Sequence, residues 1–236
     1  MANLVTKHIP NALTSCNLMS GCVAIVFALS ANYSMALTFI VVGAVFDFFD
    51  GMSARLLGVS SPIGKELDSL ADVVTFGVAP SMMIYTILLT IDKTGYNDIL
   101  AAAAPYVAFV MAAFSAIRLA KFNLDERQTT SFIGLPTPAN ALFWGALIVG
   151  SEEYLALSSG SIYILLIMVF VSSWLLVAEI PMFALKFKHW GWRENKIKYV
   201  FLVSCLPLLL IFGITGISVI IAWYICLSVI TSKKNA

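Results

Sequence analysis

The chain has 236 residues, 60% of them hydrophobic and 11% charged, with a formal net charge of +1. Ordinary soluble domains carry roughly 25% charged residues, so a soluble fold, which could not hide this much apolar side chain, is excluded. The near-neutral balance leaves no basic surface for nucleic acid, and a mean hydropathy of +0.93 points to a chain embedded in a lipid bilayer.

The first segment, residues 2–13, carries Lys7, His8 and Pro10 and is expected to lie along the membrane surface. The apolar run that follows ends near Ala28-Leu29-Ser30-Ala31 and imitates a secretory signal. It leads straight into the span with the most informative residues, so it is expected to be retained. Hydropathy predicts about eight transmembrane helices, at roughly 14–31, 34–57, 62–91, 98–122, 135–151, 160–187, 197–212 and 214–232. The expected fold is an all-α integral membrane protein with a short interfacial N-terminal segment, forming one domain over residues 1–236. The narrowest link is Gly213-Ile214-Thr215-Gly216, which must form the whole turn between the last two helices.

Lys and Arg set the orientation. With a cytoplasmic N-terminus, that side receives Lys7, Arg55, Lys65, Arg118, Lys121, Arg127, Lys186, Lys188, Arg193, Lys196, Lys198, Lys233 and Lys234, and the other side only Lys93. This positive-inside asymmetry predicts a cell (inner) membrane protein with its N-terminus in the cytoplasm and an even number of helices. The four cysteines, Cys16, Cys22, Cys205 and Cys226, lie in apolar stretches without metal or disulfide spacing and read as small hydrophobic fillers. With only His8 and His189 available, any metal site must be built from carboxylates.

The second and third predicted helices hold four aspartates, Asp47, Asp50, Asp68 and Asp72, within 26 residues of largely apolar sequence. A charge at mid-bilayer costs from ~3 to over ~10 kcal/mol, which makes such residues functional by default. Asp47, Asp50, Gly51, Ala54 and Arg55 recur at three- and four-residue steps and share one helical face, an arc of roughly 140°. Gly64, Asp68 and Asp72, four residues apart, form a ridge on the next helix. The short link Gly58-Val59-Ser60-Ser61-Pro62 is expected to make the two helices antiparallel neighbours whose faces meet. Gathered carboxylates repel one another unless cations lie between them. Oxygen-only ligands suit magnesium or manganese, with calcium a third candidate, and a pair of ions is the usual device for displacement at a diphosphate. Gly51, Ala54 and Gly64 leave room for a nucleotide against the backbone.

The pattern Asp47-x2-Asp50-Gly51-x2-Ala54-Arg55-x8-Gly64-x3-Asp68-x3-Asp72 resembles the full signature of the CDP-alcohol phosphotransferase family, at eight fixed positions. The resemblance implies that Asp47, Asp50 and Asp68 hold metal, with Asp72 at the edge of the cluster and acting as general base. It implies that Asp47, Asp50, Gly51, Ala54, Arg55, Gly64 and Asp68 bind the CDP-lipid. A homodimer is likewise implied by the family alone.

Three further segments bear on the acceptor: Phe76-Gly77-Val78-Ala79-Pro80, Arg118-Leu119-Ala120-Lys121-Phe122-Asn123 and Gly134-Leu135-Pro136-Thr137-Pro138-Ala139. They resemble segments of the membrane-integrated phosphatidylserine synthases, with Lys121 replacing the commoner arginine. Ile9-Pro10-Asn11-Ala12-Leu13-Thr14-Ser15-Cys16-Asn17-Leu18 is similar to that family's opening segment. The signature thus occupies 47–72 and the synthase-like segments 73–141, while 160–232 is generic membrane helix broken at Glu179-Ile180-Pro181. The resemblance implies transfer of a phosphatidyl group from CDP-diacylglycerol to L-serine with release of CMP. Arg118, a planar fork for a carboxylate, and Asn123 are the candidate acceptor contacts. The alternatives are another acceptor, glycerol 3-phosphate or inositol, or a cation transporter using the aspartates as an ion path.

Overall fold

The computed structural model describes residues 8–59, 61–92, 95–125, 132–158, 160–183 and 191–232. Lys7, Lys93, Arg127, Lys186, Lys188, His189, Lys233 and Lys234, weighed above, lie outside the described residues. Eight helical units run through the described chain: α1 (Ile9–Leu29), α2 (Tyr33–Leu57), α3 (Pro62–Thr90), α4 (Asp98–Leu124), α5 (Thr137–Leu157), α6 (Ser161–Val177), α7 (Trp192–Phe212) and α8 (Thr215–Ser232). The protein is an all-α integral membrane protein. α1, α2, α3, α4 and Asn195–Phe212 of α7 are each long and apolar enough to cross a bilayer, and α6 and α8 are shorter apolar helices.

α3 is the axis of the bundle. In its most apolar stretch 61% of residues are buried, against 28% in α2 and in α4. Phe76, Met83, Ile84, Ile87 and Leu88 of α3 are fully or almost fully buried beside Ile40 of α2, Met111 of α4, and Trp144 and Ile148 of α5. At the other extreme, only 11% of the apolar stretch of α7 is buried, and Val203, Leu206, Leu210 and Ile211 face outward. A helix apolar all round and packed mainly against one neighbour, α8, is solvated by lipid on its other faces.

Three local departures from the sequence reading have physical causes. α1 starts at Ile9 with Pro10 in its first turn, where the missing N–H costs nothing, so residues 9–13 are helical and do not form a separate surface segment. The predicted helix over 160–187 ends at Val177. The chain then turns, and Pro181–Met182 (β2) pairs antiparallel with Phe132–Ile133 (β1), Ile133 opposite Pro181. Pro181 cannot donate to a helix and biases its predecessor toward extended backbone. Gly134 closes this junction: its φ is +76°, and a Cβ there would lie 2.6 Å from the carbonyl oxygen of Leu176. The third departure is that α2 and the first half of α3 meet through their carboxylate side chains rather than by close backbone packing, and α1 lies against both. The turn at Gly213 does separate α7 from α8.

Candidate functional site

The end of α2 and the start of α3 border a cavity of about 250 Å³, bounded on its third side by the start of α1. Local sequence builds it. Gly58 (φ +62°) ends α2 in the left-handed conformation, with its N–H donating to the Arg55 carbonyl. Ser61 then caps α3, its Oγ accepting from the Gly64 N–H at 3.0 Å, with Pro62 at the first helical position. Asp50, Gly51 and Ala54 line the cavity from α2, Gly64, Lys65 and Asp68 from α3, and Pro10, Asn11 and Thr14 from α1. A Cβ at Gly64 would stand 3.0 Å from both Asn11 Oδ1 and Ser61 Oγ, whereas one at Gly51 would meet only Arg55, at 3.8 Å. Glycine at these two positions keeps the walls low.

Side chains bridge what the backbones leave apart. One carboxylate oxygen from each of Asp47, Asp50 and Asp68 lies within 4.8 Å of the others, a set able to hold a metal ion. Asp68 Oδ1 is buried and accepts no hydrogen bond. An orphaned carboxylate oxygen on a residue of this three-carboxylate set suits a hard divalent cation, which takes oxygen ligands. Asp50, 5% exposed, is steadied by Thr14, whose hydroxyl lies 2.6 Å from Asp50 Oδ2 and 3.0 Å from the Pro10 carbonyl.

Asp72 stands one helical turn beyond Asp68 and is 8% exposed. It is not among the three residues whose oxygens converge. It interacts with Asp47, and its Oδ1 accepts from Asn17 Nδ2 at 3.1 Å. Arg55 is exposed in the last turn of α2, outside the cavity lining, with its guanidinium near Gly51. Asp47 also lies outside that lining and reaches the site through the carboxylate cluster.

Arg118 is only 7% exposed, so it is not a positive-inside anchor reaching for water. One guanidinium nitrogen donates to Thr137 Oγ1 at 2.7 Å, the Phe122 ring lies 5.8 Å away, and Nε has no partner. Asp72 acts on it electrostatically. Arg118, Lys121 and Asp125 of the α4 end border a small cavity of about 40 Å³ together with Ile133 and Glu179. Asn123 serves a different purpose: its amide donates to Ser69 Oγ at 2.8 Å and its carbonyl accepts from Lys65 at 2.8 Å, which pins α4 to α3.

The sequence reading missed Thr14, Asn17, Ser61 and Lys65 as parts of this site. A signal was present for two of them: Thr14 and Asn17 are polar residues three apart, on one face of a largely apolar helix.

The sequence model of the CDP-alcohol phosphatidyltransferase family matches residues 7–230. The chain is 33% identical over 233 residues to the CDP-diacylglycerol–serine O-phosphatidyltransferase of Helicobacter pylori (strain 26695), covering 96% of this chain and 95% of that protein. It is 40% identical over 136 residues to the Bacillus subtilis protein of the same name, 56% of this chain and 70% of the relative. With the Methanocaldococcus jannaschii protein, also of that name, it shares 34% identity over 161 residues, 68% of this chain and 70% of the relative. A match over nearly the whole length, with five of the eight signature residues lining one cavity, places the chain: it belongs to the CDP-alcohol phosphatidyltransferase family.

Proposed function

We propose that this protein makes phosphatidylserine, transferring the phosphatidyl group of CDP-diacylglycerol to the hydroxyl of L-serine and releasing CMP. The observation that carries the reading is the convergence of Asp47, Asp50 and Asp68 beside a cavity lined by Gly51, Ala54 and Gly64. In this reading the cavity takes the cytidine diphosphate, with Arg55 at its outer edge, and the diacylglycerol tails stay in the bilayer. A divalent cation held by Asp47, Asp50 and Asp68, with Asp72 at the edge, would neutralise the diphosphate and stabilise the departing CMP. Two ions of magnesium or manganese are proposed, with calcium as the third candidate.

Asp72 takes the proton from the serine hydroxyl, whose pKa lies far above 7. The serine oxygen bonds to the phosphorus that carries diacylglycerol, and the bond from that phosphorus to the CMP oxygen breaks. Positioning is the rest of the chain's contribution: a hydroxyl fixed near the phosphorus reacts as an intramolecular group does.

Serine as acceptor is supported by the names of the relatives and by the charges near Arg118. The small cavity there brings Arg118 and Lys121 together with Glu179, which complements a zwitterion. The same acidic group opposes a phosphorylated acceptor such as glycerol 3-phosphate, and inositol has no charge for Arg118 to hold. Asn123, its amide engaged by Ser69, contributes by fixing the end of α4 rather than by a free amide. The cation-transporter alternative has no support from this family. We further propose that residues 1–236 act as one catalytic domain, in a homodimer, in the cell membrane with N-terminus and active site on the cytoplasmic side. An acceptor assay with CDP-diacylglycerol tests the reading, and phosphatidylserine and CMP are its expected products.

A further inference from the structure

Asn17 lies in the middle of α1 with no exposed surface. Its side-chain Nδ2–H donates to Asp72 Oδ1 at 3.1 Å, across 55 residues of sequence. Its own main-chain carbonyl accepts from the Thr75 hydroxyl at 2.9 Å. Thr75 belongs to the π-helical turn Val73–Val78 that follows Asp72 directly. Such turns insert a residue into a helix and often mark functional sites. Here the inserted turn puts Thr75 against α1, so α3 grips Asn17 by its backbone while Asn17 grips α3 by its side chain.

Two glycines keep this contact open. A Cβ at Gly21 would lie 2.8 Å from Thr75 Cα, and one at Gly43 would lie 2.9 Å from Asn17 Oδ1. Real Cβ atoms do not approach so closely, so any larger residue at either position would push Thr75 or Asn17 away. Asn17 Oδ1 itself is buried without a hydrogen-bond partner. A buried amide with one half unsatisfied is unfavourable for stability, so packing does not account for the asparagine. Its working half is the N–H on Asp72.

We infer that Asn17 is a positioning residue for Asp72, fixing one carboxylate oxygen so that the other is presented to the acceptor hydroxyl. The inference rests on the reading of Asp72 as the base, and Asn17 is not among the residues that line the cavity. Thr75, Gly21 and Gly43 hold Asn17 in turn.

The test is a double-mutant comparison on the full-length protein in CDP-diacylglycerol micelles with L-serine. Asn17→Leu keeps the side-chain volume and removes the donor. It should lower kcat about 10- to 100-fold, with KM for both substrates within about threefold of wild type. In an Asp72→Asn background the same change should alter the residual rate by less than about threefold, because the group that Asn17 orients is already gone. Equal losses in the two backgrounds, a loss confined to KM, or a wild-type kcat would each overturn the inference. If Asp72→Asn alone keeps wild-type turnover, the base assignment fails first, and that outcome is distinct from the others. Should Asn17→Leu not purify as a monodisperse protein, Asn17→Ser replaces it. Its hydroxyl remains a donor of shorter reach, and the same split between kcat and KM and between backgrounds is expected.

Discussion

Thr14 Oγ1 and Asp50 Oδ2 are 2.6 Å apart, joining the first turns of α1 to the last turns of α2. The contact fixes the rotamer of a carboxylate that faces Asp47 and Asp68, and it closes the third side of the cavity. Groups that orient ligating carboxylates typically contribute about 10- to 100-fold in metal affinity or activity. Thr14→Val, close in shape and lacking the hydroxyl, should therefore raise the manganese concentration for half-maximal activity by about that factor. A titration of activity with manganese measures it, and an unchanged midpoint would remove Thr14 from the site.

Removing the metal is the coarser test of the same cluster. Excess chelator should abolish turnover, and magnesium or manganese added back should restore it. Full activity in protein shown by elemental analysis to be metal-free would count against a cation at Asp47, Asp50 and Asp68.

Much of this site was legible because the bilayer makes charge expensive. Four aspartates at three- and four-residue steps have few structural reasons to sit in apolar helices, so spacing alone located the face that carries them. Spacing could not reveal the separation of α2 from α3. Helical periodicity states which residues share a face, not how far the next helix stands from it, and here α1 packs against both. The burial of Arg118 was illegible for a similar reason: its place near a helix end gave no sign that the start of α5 folds over it and supplies Thr137. The shortened α6 was foreshadowed by Pro181, although pairing of Pro181–Met182 with the distant Phe132–Ile133 in a membrane protein leaves no local trace.

Asp72→Asn should lower turnover by roughly 10²–10⁴ while binding of CDP-diacylglycerol, measured directly on the purified protein, survives. Near wild-type turnover would move the role of base to another group.

Arg118→Ala should raise the serine KM about ten- to a hundredfold, the cost of losing a charge-assisted hydrogen bond of ~1.5–3 kcal/mol. Affinity for CDP-diacylglycerol should change little. Because Arg118 also holds Thr137, Thr137→Val is the control: it removes that tie and leaves the guanidinium in place. A KM effect of equal size in both variants would assign Arg118 to packing rather than to serine.

Gly134→Ala probes the fold beside the small Arg118 cavity, away from the carboxylate cluster. Its φ of +76° and the 2.6 Å approach to the Leu176 carbonyl leave no room for a methyl group. The change should lower stability by at least ~1 kcal/mol, seen as a lower Tm in detergent. An unchanged Tm would mean that the β1–β2 junction tolerates another backbone conformation.

The central claim, phosphatidyl transfer to serine, is tested most directly by offering the purified protein CDP-diacylglycerol with L-serine, inositol or glycerol 3-phosphate and identifying the lipid products by mass spectrometry. The account predicts phosphatidylserine and CMP with serine and little product with the other two. Preferential product from inositol or glycerol 3-phosphate would contradict the serine assignment, and no CMP release with any acceptor would contradict the transferase reading itself.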